Sequence, residues 1–302
     1  MIFRKEVSDA VSSGAFLLSI TIFFITVILC GLASGYSYTR ILYIVQAQPS
    51  QIPYYNLMII RNLSPIISLI GVIVVVAYGY SMVNKEREDG SWKVLLSYPI
   101  YRDQVILGKL LAGLFVLLVT LFSAIAVAFV IFIFYSGAFI TVEMLTRLAA
   151  FFILSFLLLS AWMGLSIFIS LAFKEPKTSL LTLLLLIGLY NTFTIHNFGR
   201  LIIDLLIGPL TLLTSQGVAL NDASAAFLGL VTNIFSSNGF NMISYWLSLP
   251  KMITSVGMKR VEVPSTVLNI FLENIPPIMF LAFLSIITFA ASYVIFTRRD
   301  LS

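Results

Sequence analysis

Residues 110–135 read LLAGLFVLLVTLFSAIAVAFVIFIFY and contain no Asp, Glu, Lys or Arg. Wound as an α-helix, such a run is roughly 39 Å long at about 1.5 Å per residue. That exceeds the ~30 Å of hydrocarbon in a bilayer. Five more strongly apolar, charge-free stretches lie on either side of it, at 14–33, 64–83, 148–173, 178–195 and 275–297. A charge at mid-membrane costs roughly 2.5 kcal/mol or more on insertion scales, so six such gaps in one chain are not accidental. The whole chain agrees. Its 302 residues are 60% hydrophobic and 10% charged, with a mean hydropathy of +1.04. An average soluble domain is about a quarter charged. That excludes an ordinary cytosolic enzyme, a disordered chain and a nucleic-acid-binding domain. The expected fold is an all-α integral membrane protein, one transmembrane domain over 1–302 with six transmembrane helices.

Two weaker charge-free stretches, 205–221 and 223–250, carry turn and polar residues. Pro209, Ser215, Gln216 and Gly217 sit in the first; Asn233, Ser236, Ser237, Asn238 and Asn241 sit in the second. They predict interfacial or re-entrant helices within an external helical segment, 197–274, before the last span. An eight-span arrangement is the alternative.

Lys and Arg set the orientation. With six spans, one side holds Arg4, Lys5, Lys85, Arg87, Lys93, Arg102, Lys109, Lys174, Lys177, Arg298 and Arg299, against Arg40, Arg61 and Arg147 in the short loops opposite. Both termini are therefore expected in the cytoplasm of a multi-pass plasma-membrane protein. Glu6 and Asp9 precede the first apolar run, which is about 20 residues long. Both features favour a retained span over a cleaved signal.

Residues 1–13 predict a short amphipathic helix on the inner leaflet. Phe3, Val7, Ala10 and Val11 fall at i, i+4, i+7 and i+8, with Arg4, Lys5, Ser8, Asp9 and Ser12 opposite. A frayed polar terminus is the plainer reading. The cytoplasmic loop 84–109, NKEREDGSWKVLLSYPIYRDQVILGK, holds nine charges in 26 residues. Gly90 ends the helix entering it, and Ser91 caps a new one. Trp92, Leu95 and Leu96 share a face of that helix, Pro99 stops it, and Arg102 to Lys109 lead into the third span. A charge-rich loop is usually only a solvated face. Here it also presents an apolar stripe with no obvious partner in its own chain, which points to docking on another protein.

Other chemistry is sparse. Cys30 is the only cysteine and His196 the only histidine, which leaves no disulfide, no cysteine-cluster metal site and no histidine-based one. No two of Glu143, Asp204, Asp222, Glu262 and Glu273 sit one helical turn apart, so paired-carboxylate catalysis and a metal site are not expected. No ionisable residue falls within the six stretches, which argues against a proton-coupled transporter. Asn191, Thr192 and Thr194 are candidate path-lining residues, or simply interhelical hydrogen-bonders. Three small-residue pairs, Gly31 with Gly35, Ala124 with Ala128 and Ser160 with Gly164, allow close helix approach, inside one protomer or at a dimer seam. Asn62-Leu63-Ser64 fits a glycosylation sequon that abuts the membrane.

The pattern E-R-E-D-G-S-W-K-V-L-L-S-Y-P-I-Y-R-D-Q-V-I-L-G-K-L-L-A at 86–112 resembles the cytoplasmic loop of type-2 ABC exporter permeases. Nitrous-oxide-reductase maturation permeases are the nearest by pattern. The matching residues are Glu86, Glu88, Gly90, Leu95, Leu96, Ser97, Pro99, Gly108 and Lys109, with F-R-K-E at the N-terminus and F-T-R-R-D-L at 296–301 also fitting. Tyr101 departs from the Ser or Thr that often caps the next helix.

The resemblance implies a division of labour. This chain would form the membrane path as one of two permease copies, a homodimer or a heterodimer. A separate ATP-binding-cassette ATPase would hold ATP and Mg and dock on the 84–109 loop, whose short helix would be the coupling helix. The substrate would be amphipathic, lipid-like, or peptide- or drug-like, and would move outward. The chain's own residues agree that hydrolysis lies elsewhere. A P-loop needs GxxxxGK[ST]; the only Gly-Lys, Gly108-Lys109, has Asp103 in place of the first Gly and Leu110 in place of Ser or Thr. No cofactor and no nucleic-acid partner are expected for this chain. A non-transporting anchor or assembly subunit is the alternative function, with an intramembrane enzyme a distant third.

Overall fold

The computed structural model describes residues 7–8, 14–45, 57–88, 102–173, 175–194, 240, 243–244, 247, 251–256, 259–264 and 266–298. Helix α1 is Gly14–Val45. Helix α2 runs through Met58–Ile66, a π turn at Ile67–Gly71, and Val72–Glu88. Then come α3, Arg102–Ser136, α4, Val142–Ala172, and α5, Pro176–Thr194. Strands β1, Lys251–Val256, and β2, Lys259–Pro264, precede α6, Val267–Glu273, and α7, Ile275–Arg298.

The helices run past the apolar stretches that announced them. α3 spans 35 residues, about 52 Å, far more than the hydrocarbon requires. Gly108 and Lys109, expected at the head of the third span, lie well inside α3, because Arg102 to Lys109 are already helical. Five helices are long and apolar enough to cross a membrane: Phe16–Thr39, Met58–Lys85, Gln104–Ser136, Val142–Ala172 and Ile275–Arg298. The fifth expected span, 178–195, falls in α5, where Pro176–Tyr190 is a shorter apolar helix. Among the described residues, five helices rather than six therefore reach span length.

Segment 197–274 also departs from its expected all-helical form. β1 and β2 pair antiparallel, from Lys251 opposite Pro264 to Val256 opposite Lys259. Ile253, Thr254, Val256, Val261 and Val263 are β-branched and flank a glycine, Gly257. Those are strand and hairpin signals, and an expectation based on apolar length alone passed over them. Phe240, Ile243, Ser244 and Leu247 are helical and buried. Their i, i+3, i+4, i+7 spacing is one face of a helix.

Local chemistry sets the helix ends. Thr141 accepts a hydrogen bond at Oγ1 from the Met144 amide, 3.2 Å, and caps α4; Thr266 does the same for α6 from Asn269, 3.3 Å. Gly137, at φ +63°, closes α3, a conformation that costs glycine nothing. Pro276 and Pro277 stand in the first turn of α7, where a missing N–H leaves nothing unpaired. Pro65 stands inside α2.

Helix α4 is the centre of the bundle, packed against α7, the inner part of α2, α3 and α5. Small residues bring the helices together. A side chain on Gly31 would meet the Ala128 carbonyl at 2.9 Å, and one on Gly35 would meet Tyr135 Cβ at 2.8 Å. The predicted pairs of α1 and α3 are therefore two sides of one seam inside the protomer. Ser160 and Gly164 of α4 face α7, where Ser160 Oγ lies 3.1 Å from Ser285 Oγ. Ser292 Oγ donates to the Gly164 carbonyl, 3.5 Å. Asn62 of the sequon donates from Nδ2 to Ser34 Oγ, 2.9 Å, joining α2 to α1.

Candidate coupling site

Of the expected coupling residues, Gly90, Trp92, Leu95, Leu96 and Pro99 lie outside the described residues. So do Phe3, Arg4, Lys5 and Val11 of the N-terminal helix. Glu86 and Glu88 are in the last turns of α2. Val7 and Ser8 are helical; Val7 is half-buried against the core and Ser8 is exposed. Asn191, Thr192 and Thr194 are in the last turn of α5, with only their backbone described. His196 lies outside the described residues.

The inner end of α2, which leads into the 84–109 loop, is fastened to the turn between α4 and α5. Tyr80 donates from its hydroxyl to the Pro176 carbonyl, 3.3 Å. Asn84 donates from Nδ2 to Ser179 Oγ, 3.3 Å. Arg87 donates from Nη1 to the Phe173 carbonyl, 2.9 Å. Positions 80, 84 and 87 follow the i, i+4, i+7 rule for one helical face. Asn84 and Ser179 are both buried, and the Ser179 hydroxyl donates its own hydrogen bond to the Pro176 carbonyl, 2.8 Å. The end of α2 and the α4–α5 turn, remote in sequence, are thereby joined at one place. Sequence reasoning missed these residues. By sequence Arg87 reads as a topology charge and as one of the loop charges that would orient a docked partner, and Tyr80 and Asn84 carry no signal apart from their spacing.

The facing base of α3 is buried too. Val105 and Ile106 are core residues, and Lys109 is only 3% exposed. A lysine withdrawn this far from water needs polar compensation, since an isolated buried ammonium is prohibitively costly.

At the opposite end, Arg147 is 1% exposed. Its Nε and Nη2 donate to Glu143 Oε1 at 3.1 and 2.7 Å. Its Nη1 donates to the Leu247 carbonyl at 3.0 Å. Phe240 packs on Phe151, ring centroids 5.9 Å apart. The N-terminal half of α4 thus holds Phe240 and Leu247. Composition marked Arg147 only as a loop cation. Among the described residues, no group of three or more His, Cys, Asp and Glu is placed to hold a metal.

The arrangement is a bundle of apolar helices in which α2, where it leads into the 84–109 loop, is tied to the α4–α5 turn. It offers no catalytic constellation among the described residues and suits a membrane component driven by another protein. No curated protein matches the chain. Residues 1–301 match the family model described as ABC-2 family transporter protein. Members of that family are membrane permeases that work with a separate ATP-binding subunit. The match covers nearly the full chain, and the multi-pass apolar helices fit it: this protein belongs to the ABC-2 transporter family.

Proposed function

We propose that this ABC-2 permease is the membrane path of an ATP-driven exporter, moving an amphipathic, lipid-like or peptide- or drug-like substrate outward. Two copies, or this chain and a relative, pair with two ATP-binding-cassette subunits that hold ATP and Mg. The path has six spans, α5 being the fifth, and both termini are cytoplasmic. The short helix near 91–97 receives the ATPase through Trp92, Leu95 and Leu96. Glu86, Glu88, Gly90, Pro99, Gly108 and Lys109 shape the turns and helices around it, as in permeases of the nitrous-oxide-reductase maturation type.

The supporting observation is the Tyr80, Asn84 and Arg87 fastening of α2 to the α4–α5 turn. A push on a loop leading from an unfastened helix end would be dissipated locally. Here it reaches α4, the helix that contacts most of the bundle. The apolar helix faces suit a substrate with an apolar part better than a bare ion. Affinity purification from native membranes, with mass-spectrometric identification of partners, tests the proposal. A stoichiometric ATPase bearing Walker motifs is the expected partner. Recovery of a complex without any ATPase would favour an anchor or assembly role instead.

A further inference from the structure

Helix α2 changes its winding once. The π turn Ile67–Gly71 follows Pro65 almost directly. Proline gives no N–H to the ladder and its ring crowds the carbonyl four residues earlier. A π turn is one extra residue absorbed into a helix, and such turns mark bends and functional positions. Gly71, the last residue of the turn, borders a cavity of about 30 Å³ with Phe16, Phe23, Val75, Val116 and Leu159. Its exposed walls are apolar, and it has room for only about two water-sized bodies. That is too small for a substrate, but it is free space beside a bend. A Cβ on Gly71 would meet Leu159 Cδ2 at 3.3 Å, so a larger side chain there takes up the space beside the bend and presses on Leu159.

The two parts of α2 have different neighbours. Met58–Ile66 packs chiefly on α1, whereas Val72–Glu88 packs chiefly on α4 and to a lesser extent on α1 and α5, meeting α1 where Phe16 and Tyr78 lie with ring centroids 4.5 Å apart. Ser166 of α4 donates from Oγ to the Val76 carbonyl, 2.7 Å. Gly79 sits so close to α4 that a side chain there would meet the Met163 carbonyl at 3.1 Å. With Tyr80, Asn84 and Arg87, these contacts make the inner part of α2 one body with α4 and the α4–α5 turn. The outer part belongs with α1.

We propose that the π turn is a joint: Val72–Glu88 tilts about Ile67–Gly71 into the adjoining apolar cavity, relative to α1, when the loop it leads into is pushed. The driving push rests on the coupling reading above; the joint itself does not. Filling the cavity or removing the extra residue should stiffen it. Gly71→Leu does the first. Deletion of Leu69, an exposed residue of the turn, does the second and restores α winding.

The test is pulsed electron–electron double resonance on the full-length permease in lipid nanodiscs, in a Cys30→Ser background. Spin labels at Leu18 and Lys85 report α1 against inner α2. Labels at Lys85 and Lys177 report within the proposed body. The Leu18–Lys85 distribution should be several times broader than that of Lys85–Lys177, and either stiffening variant should narrow it to a comparable width. With the co-purified ATPase, ATP and Mg, its mean should shift while the other stays fixed, and the variants should lose that shift. A Leu18–Lys85 distribution as narrow as Lys85–Lys177 in the isolated permease overturns the joint. So does unchanged width in both folded variants. If neither variant folds, the comparison of the two wild-type pairs decides. Failure to recover any ATPase defeats the coupling reading alone, because the widths are measured without it.

Discussion

Arg147 Nη1 donates to the carbonyl of Leu247, one hundred residues later in the chain, at 3.0 Å. The guanidinium is buried, while its carboxylate partner Glu143 keeps a side chain 63% exposed. The pair is therefore half solvated, and its ionic part contributes little by itself. What the arginine adds is a donor for a carbonyl on a fully buried residue. Leaving a buried acceptor unpaired costs roughly 1–3 kcal/mol. Arg147→Met should lower stability by about that amount and expose 240–247 to protease, while Glu143→Gln should cost less than about 1 kcal/mol. Thermal unfolding in detergent and limited proteolysis would show it. Equal effects from both changes would contradict the assignment.

The α1–α3 seam makes a second prediction. Gly31→Leu drives a side chain against the Ala128 backbone, which cannot retreat without parting the helices. Overpacking of this kind costs roughly 1–3 kcal/mol. Gly188→Ala in α5 meets nothing within 4 Å and should be neutral or stabilising by about 0.5–1 kcal/mol. Melting temperatures of the two purified variants should move in opposite directions or differ clearly in size.

Orientation follows from the Lys and Arg split. In a Cys30→Ser background, a cysteine at Lys93 should react with an impermeant thiol reagent only after the inner face is opened. Labelling from outside intact cells would reverse the proposed topology. In the native sequence Cys30 itself is buried and should stay unlabelled from either side.

The apolar stripe in the 84–109 loop predicts a clean separation of insertion from docking. Leu95→Asp with Leu96→Asp removes the face that forgoes roughly 1.5–3 kcal/mol per large side chain when left in water. The permease should still insert and express but lose its ATPase. A double variant that retains stoichiometric ATPase would mean that the stripe is a lipid anchor.

The Asn84 fastening should behave differently from that docking face. Asn84→Leu removes the tie to Ser179, whose hydroxyl keeps its bond to the Pro176 carbonyl, so stability should change by less than about 1 kcal/mol. The variant should keep the ATPase bound and reduce transport-stimulated ATP hydrolysis severalfold. Unchanged stimulation in a correctly inserted variant would show that force does not pass through this contact.

The sequence by itself determined the class. Runs such as 110–135 have no soluble solution, because charge-free helices of that length lose too little by entering hydrocarbon and too much by staying in water. It also determined the small-residue pairs, since glycine at 31 and 35 permits close approach whatever the partner. Tertiary structure alone decided that this partner is α3 of the same protomer, because side-chain spacing states how near a helix can come but not which helix comes. It decided that Arg147 and Lys109 are buried: a cation's count is the same at a surface as beneath a neighbouring backbone. It decided the π turn as well. Pro65 announces a disturbance in α2, but where the extra residue settles depends on the packing of α1 and α4 around Gly71. The β1–β2 hairpin was written in β-branched residues, yet an apolar-length reading of the external segment could not separate it from helix. Length and hydrophobicity are properties of a stretch of chain, whereas burial, pairing and free volume belong to the elements packed against it.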